Sequence, residues 1–338
     1  MRLKSALRRG VAAAVIAGIV VSSGIPAYAA RWDIADGNIT VKAGDAEGTN
    51  RVTQGEKDVE DTDTVITGES KENTVTIDTS EGDVDVTFDD LKIDASSRGY
   101  KDPTDTGKAA VSVTGSGDTT IELDGNNTLK SGDRHAALEH NKTDTSGKLT
   151  IQDVGNDGSL DATGGFRGAG IGGGEAQNGQ VTITGGTITA TAGSSSGRFI
   201  YGGGSGIGGG DGGTGVGGNG DVEITGGTIT ATGVYGAGIG GGRSADGDVT
   251  ISGGTIKKAE SLSPTDPGGA GIGGGYYGDG RVTITGDAVI EEAQGGIQSA
   301  GIGGGQGADG DVEISGNARI DKVTGGDYGA GIGSGLGE

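Results

Sequence analysis

Cysteine is absent from the 338 residues, so neither disulfides nor thiolate metal sites stabilise the fold. His135 and His140 are the only histidines, and without cysteine they are too few to assemble a three-ligand zinc site. Aromatics make up 3% of the chain and prolines number four. Basic residues are also scarce, 25 against 47 acids, and the formal charge of −22 argues against a nucleic-acid partner. No apolar run approaches the roughly 20 residues that span a bilayer.

An uncharged, apolar run, Val11 to Val21, follows Arg2, Lys4, Arg8 and Arg9 and precedes Ala27-Tyr28-Ala29. That arrangement predicts a secretory signal peptide over residues 1–29, cleaved after Ala29. The mature chain then starts at Ala30, leaves the cytoplasm and has no membrane span. Its surface is acidic and solvated. Calcium is the one cofactor that its carboxylates could take, and none is required.

What the chain has in abundance is glycine, 79 residues of it, in register. The phrase Gly-Ala-Gly-Ile-Gly-Gly-Gly opens at Gly168 and recurs around Ile171, Ile207, Ile239, Ile272, Ile302 and Ile332, at spacings of 36, 32, 33, 30 and 30 residues. Such self-similarity signals a solenoid, whose repeats bury their apolar residues only against neighbours. After each phrase comes an Asx-Gly pair, as at Asn178-Gly179 or Asp246-Gly247, which reads as a sharp turn with positive φ. A strand follows, Val181-Thr-Ile183 or Val249-Thr-Ile251, with Val and Ile on one face. A second turn, such as Gly226-Gly227, precedes a second strand with Ile188, Ile229 or Ile256 inward, and the glycine phrase is the third.

Three short strands in about 30 residues make one rung of a parallel β-helix. The turn-plus-strand signature extends back to Gly147, Gly117, Gly82 and Gly37, giving about nine rungs, with Leu138 and Val111 where later rungs place the phrase isoleucine. The fold is therefore all-β, one continuous solenoid over 30–338: irregular and acidic over 30–163, glycine-rich and regular over 164–338. Trp32 and Ile34 are the expected N-terminal plug, and the chain is expected to be incomplete at Glu338.

Alternation puts Ala169 and Ile171 inward and Gly170 and Gly172 outward, which leaves either a bare groove or tightly packed corners. The few aromatics gather beside the phrase: Phe166, Phe199, Tyr201, Tyr235, Tyr276, Tyr277 and Tyr328. Of these Phe166, Tyr201, Tyr235, Tyr276, Tyr277 and Tyr328 are the candidate sugar-stacking residues, since ring faces cover a pyranose and tyrosine hydroxyls bond its rim. The threonines at 187, 189, 191, 228, 230 and 232 form an outward array that Lys257 and Lys258 interrupt, so they read as ordinary strand residues. No catalytic constellation stands out, and the chain reads as not an enzyme.

The phrase Gly236–Gly242, the strands from Asp221 to Ile229 and the opening Trp32 to Val41 resemble secreted surface proteins of Gram-positive, clostridial-type bacteria described as carbohydrate-binding-domain proteins. The resemblance implies a right-handed parallel β-helix similar to pectate lyases. It also implies binding of polysaccharide or acidic sugars, sometimes with calcium, without cleavage. Three readings follow: a non-catalytic carbohydrate-binding or adhesive surface protein, a polysaccharide lyase or hydrolase, and a structural stalk.

Overall fold

The structure, a computed structural model, describes residues 30–97, 107–194, 202–213, 215–262 and 267–337. The leader expected at 1–29, and with it Phe199 and Tyr201, lie outside the described residues. The chain winds as a right-handed parallel β-helix. Strands Gly179–Ile183, Gly220–Ile224, Gly247–Ile251, Gly280–Ile284 and Gly310–Ile314 stack in parallel without slippage. Val181, Val222, Val249, Val282 and Val312 form one ladder, and Ile183, Ile224, Ile251, Ile284 and Ile314 another. The period-2 alternation fixes this register, because a one-residue slip would turn every aliphatic chain to solvent.

The second column stacks Ile188, Ile229, Ile256, Ile290 and Ile320. Between Ile229 and Thr230 its register shifts: Lys258, not Lys257, pairs with Thr230, so one residue is added to the strand and the threonine array ends. The third column carries the glycine phrase, reduced to two-residue strands such as Ile171–Gly172 and Ile239–Gly240. Leu138 pairs with both Ile171 and Val111, as the sequence predicts.

That column continues through Val75–Thr79 to Ile39–Ala43 within a twelve-stranded sheet whose last two members, Asn50–Gln54 and Lys57–Asp61, are antiparallel. Here two expectations are corrected. The strand at Ile39 belongs with the glycine phrase and not with the Val-x-Ile column, because alternation marks a strand but not its column. The N-terminal plug is larger than Trp32 and Ile34, for the antiparallel pair folds over the same end and buries Val52.

The Asx-Gly pairs also behave differently from expectation. Positive φ occurs elsewhere: neither Asn178, Asn219, Asp246, Asp279 and Asp309 nor the glycines that follow them adopt it. Instead the side chains of Asn178, Asn219, Asp246 and Asp279 each accept a hydrogen bond from the backbone N–H of the next rung's Asx, as in Asp279 N to Asp246 Oδ1 at 2.8 Å and Asp309 N to Asp279 Oδ1 at 2.8 Å. The glycine is required by closeness, since a Cβ on Gly220 would lie 2.0 Å from the Gly240 carbonyl oxygen. Positive φ belongs to the glycine after each phrase isoleucine, 125° at Gly172 and 129° at Gly240.

Candidate functional site

The groove imagined along Gly170 and Gly172 is filled. Both are buried, and a Cβ at Gly170 would stand 2.6 Å from the Gly206 oxygen and 2.7 Å from the Thr191 nitrogen. Of the two readings of these glycines, the packed corner is the one observed. Function has to be sought in the side chains that flank the phrase.

The residue four places before each phrase isoleucine and the residue four places after it meet at one corner of the coil. The first set includes Arg134, Arg167, Tyr235, Gln298 and Tyr328, all left-handed, with φ of 72°, 70°, 59°, 64° and 68°. The second includes Glu175, Asp211, Arg243, Tyr276 and Gln306. Backbone hydrogen bonds stitch the sets across rungs: Glu175 N donates to Arg134 O at 2.8 Å, Asp211 N to Arg167 O at 2.9 Å, and Tyr276 N to Tyr235 O at 3.0 Å. The left-handed turn recurs at this corner, but Gly203 and Gly268 hold the position in the rungs of Ile207 and Ile272 and Tyr235 is buried there, while successive coils lie about 4.8 Å apart.

Three arginines collect there in an otherwise acidic chain. The Arg167 guanidinium lies over the Phe166 ring at 5.0 Å, and that of Arg243 stands 5.8 Å from the Tyr235 centroid and 5.5 Å from that of Tyr276. Glu175 receives Arg167 and, at 3.2 Å, Arg134 Nε. The buried Nε atoms of Arg167 and Arg243 have no hydrogen-bond partner among the described residues. Cation–π stacking leaves the rim of each guanidinium as a fan of N–H donors.

The six aromatic candidates are therefore not equivalent. Tyr235 is 6% exposed and serves as the floor under Arg243, so it is not itself a stacking surface. Phe166 and Tyr276 are half-buried and share their faces with guanidiniums. Tyr277 is exposed, its ring 4.0 Å from that of Tyr276 at an interplanar angle of 40°. Tyr328, 82% exposed, stands on the same column in the last rung. Tyr201 lies outside the described residues.

Sequence reasoning missed Arg134, Arg167, Arg243, Glu175 and Asp211. Their signal was positional: each sits four residues from a phrase isoleucine or from its equivalent, Leu138. Asp211 is the most unusual of them. Its carboxylate is fully buried, accepting Gly213 N–H at Oδ1 (2.7 Å) and Gly203 N–H at Oδ2 (3.0 Å). Burial pushes its pKa up to about 6, although the two amides and the charges of Arg243 and Arg167 oppose this.

At the start of the corner His135 Nδ1 is bonded to the buried Glu139 Oε2 at 2.8 Å. Glu139 is fixed in turn by Ala136 N–H and the Asn141 amide, and this pairing raises the His135 pKa. The acidic clusters of the N-terminal half resolve into local partners: Asp58 with Arg51 at 2.9 Å, Glu60 with Thr49 at 2.5 Å, Asp89 with Arg31 at 2.6 Å, and Asp83 as acceptor for Asp118 N–H at 2.8 Å. Among the described residues no three His, Asp or Glu side chains converge as a metal-binding group.

The beta helix repeat family matches the chain at residues 156–175, 222–243, 249–276 and 282–306. These segments end on Glu175, Arg243, Tyr276 and Gln306, the column that lines the corner. No curated protein and no solved structure matches the chain. The repeat match and the long parallel sheets agree, and the chain is a parallel β-helix repeat protein.

Proposed function

We propose that this is an extracellular, non-catalytic carbohydrate-binding or adhesive surface protein, and that its arginine and aromatic corner meets a polysaccharide. The observation that carries this reading is the stacking of Arg167 on Phe166 and of Arg243 beside Tyr235 and Tyr276 along one corner of the coil. An edge of ring faces and N–H donors suits a hydroxyl-rich polymer. The exposed Tyr277 offers a sugar its ring, and the guanidinium rims offer donors to hydroxyl or carboxylate oxygens. Export follows from the leader at 1–29, and calcium bridging the ligand to surface carboxylates is compatible with the charge.

The test is glycan-array binding of residues 30–338, with and without chelator. A retained glycan class is expected, weakened about tenfold or more by Tyr277→Ala and by Arg243→Gln. Retention on no glycan would sink the reading. A polysaccharide-cleaving enzyme is the second reading, favoured by the carboxylate-oriented imidazole of His135. Chain shortening of a retained glycan, abolished by His135→Gln, would establish it.

A further inference from the structure

The turn Asp211–Gly213 sits between two guanidiniums contributed by different rungs. Gly213 donates its N–H to Asp211 Oδ1 at 2.7 Å and accepts Arg243 NH1 at its carbonyl oxygen at 2.9 Å. Its Cα lies directly under the other guanidinium, since a Cβ there would be 2.8 Å from Arg167 Cζ. Gly202, at φ 70°, closes the far side: a Cβ on it would meet Asp211 Oδ2 at 2.8 Å, Phe166 Cε2 at 2.9 Å and Arg167 Cγ at 3.1 Å. Asp211 therefore touches the wall on which Arg167 and Phe166 stack, and through Gly213 it holds the carbonyl that Arg243 grips.

We propose that Asp211 is the positioning residue of this corner: its buried carboxylate is the counter-charge that holds Arg167 and Arg243 in the orientation presented to a ligand. It is not itself a contact residue, because it has no exposed surface. A fully buried carboxylate is costly to keep, and among the described residues no other acid in this column has its side chain wholly enclosed. Glu175, the preceding member of the column, pairs with Arg134 and Arg167 at a partly exposed position. Arg167 and Arg243 are the charged groups that act on Asp211. Both of its oxygens accept N–H bonds, so the NH₂ of an Asn in its place must break a bond to Gly203 or Gly213, and either protonation or that substitution removes the negative charge beside the arginines. Burial and the raised pKa add a consequence: the positioning should be present above about pH 6 and fade below it.

This inference rests on the corner being the binding surface, so its test has a part that needs no ligand. In protein labelled with [¹⁵N]arginine, the Nε–H signals of Arg167 and Arg243 are assigned with Arg167→Lys and Arg243→Lys and followed from pH 4.5 to 8 in the wild type, Asp211→Asn and Asp211→Glu. Both signals should be dispersed and slowly exchanging in the wild type above pH 6. They should move toward free-arginine positions below it, and stay there at every pH in Asp211→Asn. Wild-type signals in Asp211→Asn would overturn the proposal, as would a wild-type profile flat across pH 6. In the second part, any glycan retained on the array should bind Asp211→Asn about 30-fold more weakly at pH 7.5. It should bind Asp211→Glu more tightly than Asp211→Asn, since Glu restores the charge. Equal binding by wild type and Asp211→Asn would overturn the proposal too, whereas retention of no glycan by the wild type would fail the binding reading alone and leave the arginine signals to decide this one.

Discussion

Trp32 Nε1 donates a hydrogen bond to Asp61 Oδ2 at 2.7 Å across the N-terminal end of the coil. Asp61 Oδ1 accepts the Ala30 N–H at 3.1 Å and the Asp63 N–H at 3.1 Å, so one fully buried carboxylate ties the first strand to the antiparallel pair that closes the core. A solenoid without such a closure would expose the first layer of its aliphatic ladder.

Removing that acceptor should open this end first. Asp61→Ala orphans the buried indole N–H and two amides and should cost about 2–4 kcal/mol. Trp32 is the only tryptophan, so its emission reports the event locally. In urea titrations the emission of Asp61→Ala should shift red at a lower concentration than the far-UV signal of the whole coil falls. Coincident, wild-type midpoints would show that the cap does not depend on this carboxylate.

The glycine phrase should tolerate no side chain where rungs pass closest. Gly240 combines a φ of 129° with a Cβ position 2.0 Å from the Gly273 oxygen, and Gly240→Ala should cost about 3 kcal/mol or more. Gly48 has a φ of 75° and nothing within 4 Å, so Gly48→Ala should cost about 1 kcal/mol, from backbone conformation alone. Urea unfolding of both variants checks the contrast, and equal costs would mean that packing of the phrase is not what selects glycine.

The buried titratable groups predict opposing pH dependences. Bonding to Glu139 raises His135 above its ordinary 6.5, so its contribution is complete below that value and lost as pH rises through the raised one. Burial lowers His140, so its contribution is lost as pH falls below 6.5. Asp211, raised from 3.8 to about 6, keeps in the fold a proton that the unfolded chain has released, and stability falls as pH rises between those values. The loss is roughly 3 kcal/mol. Asp211→Asn cannot ionise. Its stability relative to wild type should therefore improve by about that amount between pH 4 and pH 7, and a constant difference in urea unfolding would refute this.

Much of the coil was legible in the residues themselves. The isoleucines of the phrase stack as their spacing requires, and Leu138 and Val111 join them although their own segments lack the phrase. Aliphatic alternation carries this information because burial depends on it directly. The corner was half legible. Phe166, Tyr235, Tyr276, Tyr277 and Tyr328 were found by their place beside the phrase, but as sugar-stacking rings, and Tyr235 turned out to be a buried support for Arg243. The arginines were invisible because each stands singly in its rung, and a lone arginine in one repeat means nothing until the neighbouring rung is laid upon it.

The sequence by itself determined that the chain coils, where its strands fall and which residues face inward, since period and alternation are local properties read along one dimension. Only the tertiary structure decided that Ile39–Ala43 stacks with the glycine phrase, that Asp61 seals the end, that the phrase glycines are packed and not bare, and that the Asp211–Gly213 turn lies between Arg167 and Arg243. These relations join residues far apart in the chain, 29 positions for Trp32 and Asp61 and 32 for Asp211 and the Arg243 that grips Gly213, and they are set by how many residues the intervening coils consume. That length varies from rung to rung, and closeness across rungs appears only once every coil has been wound.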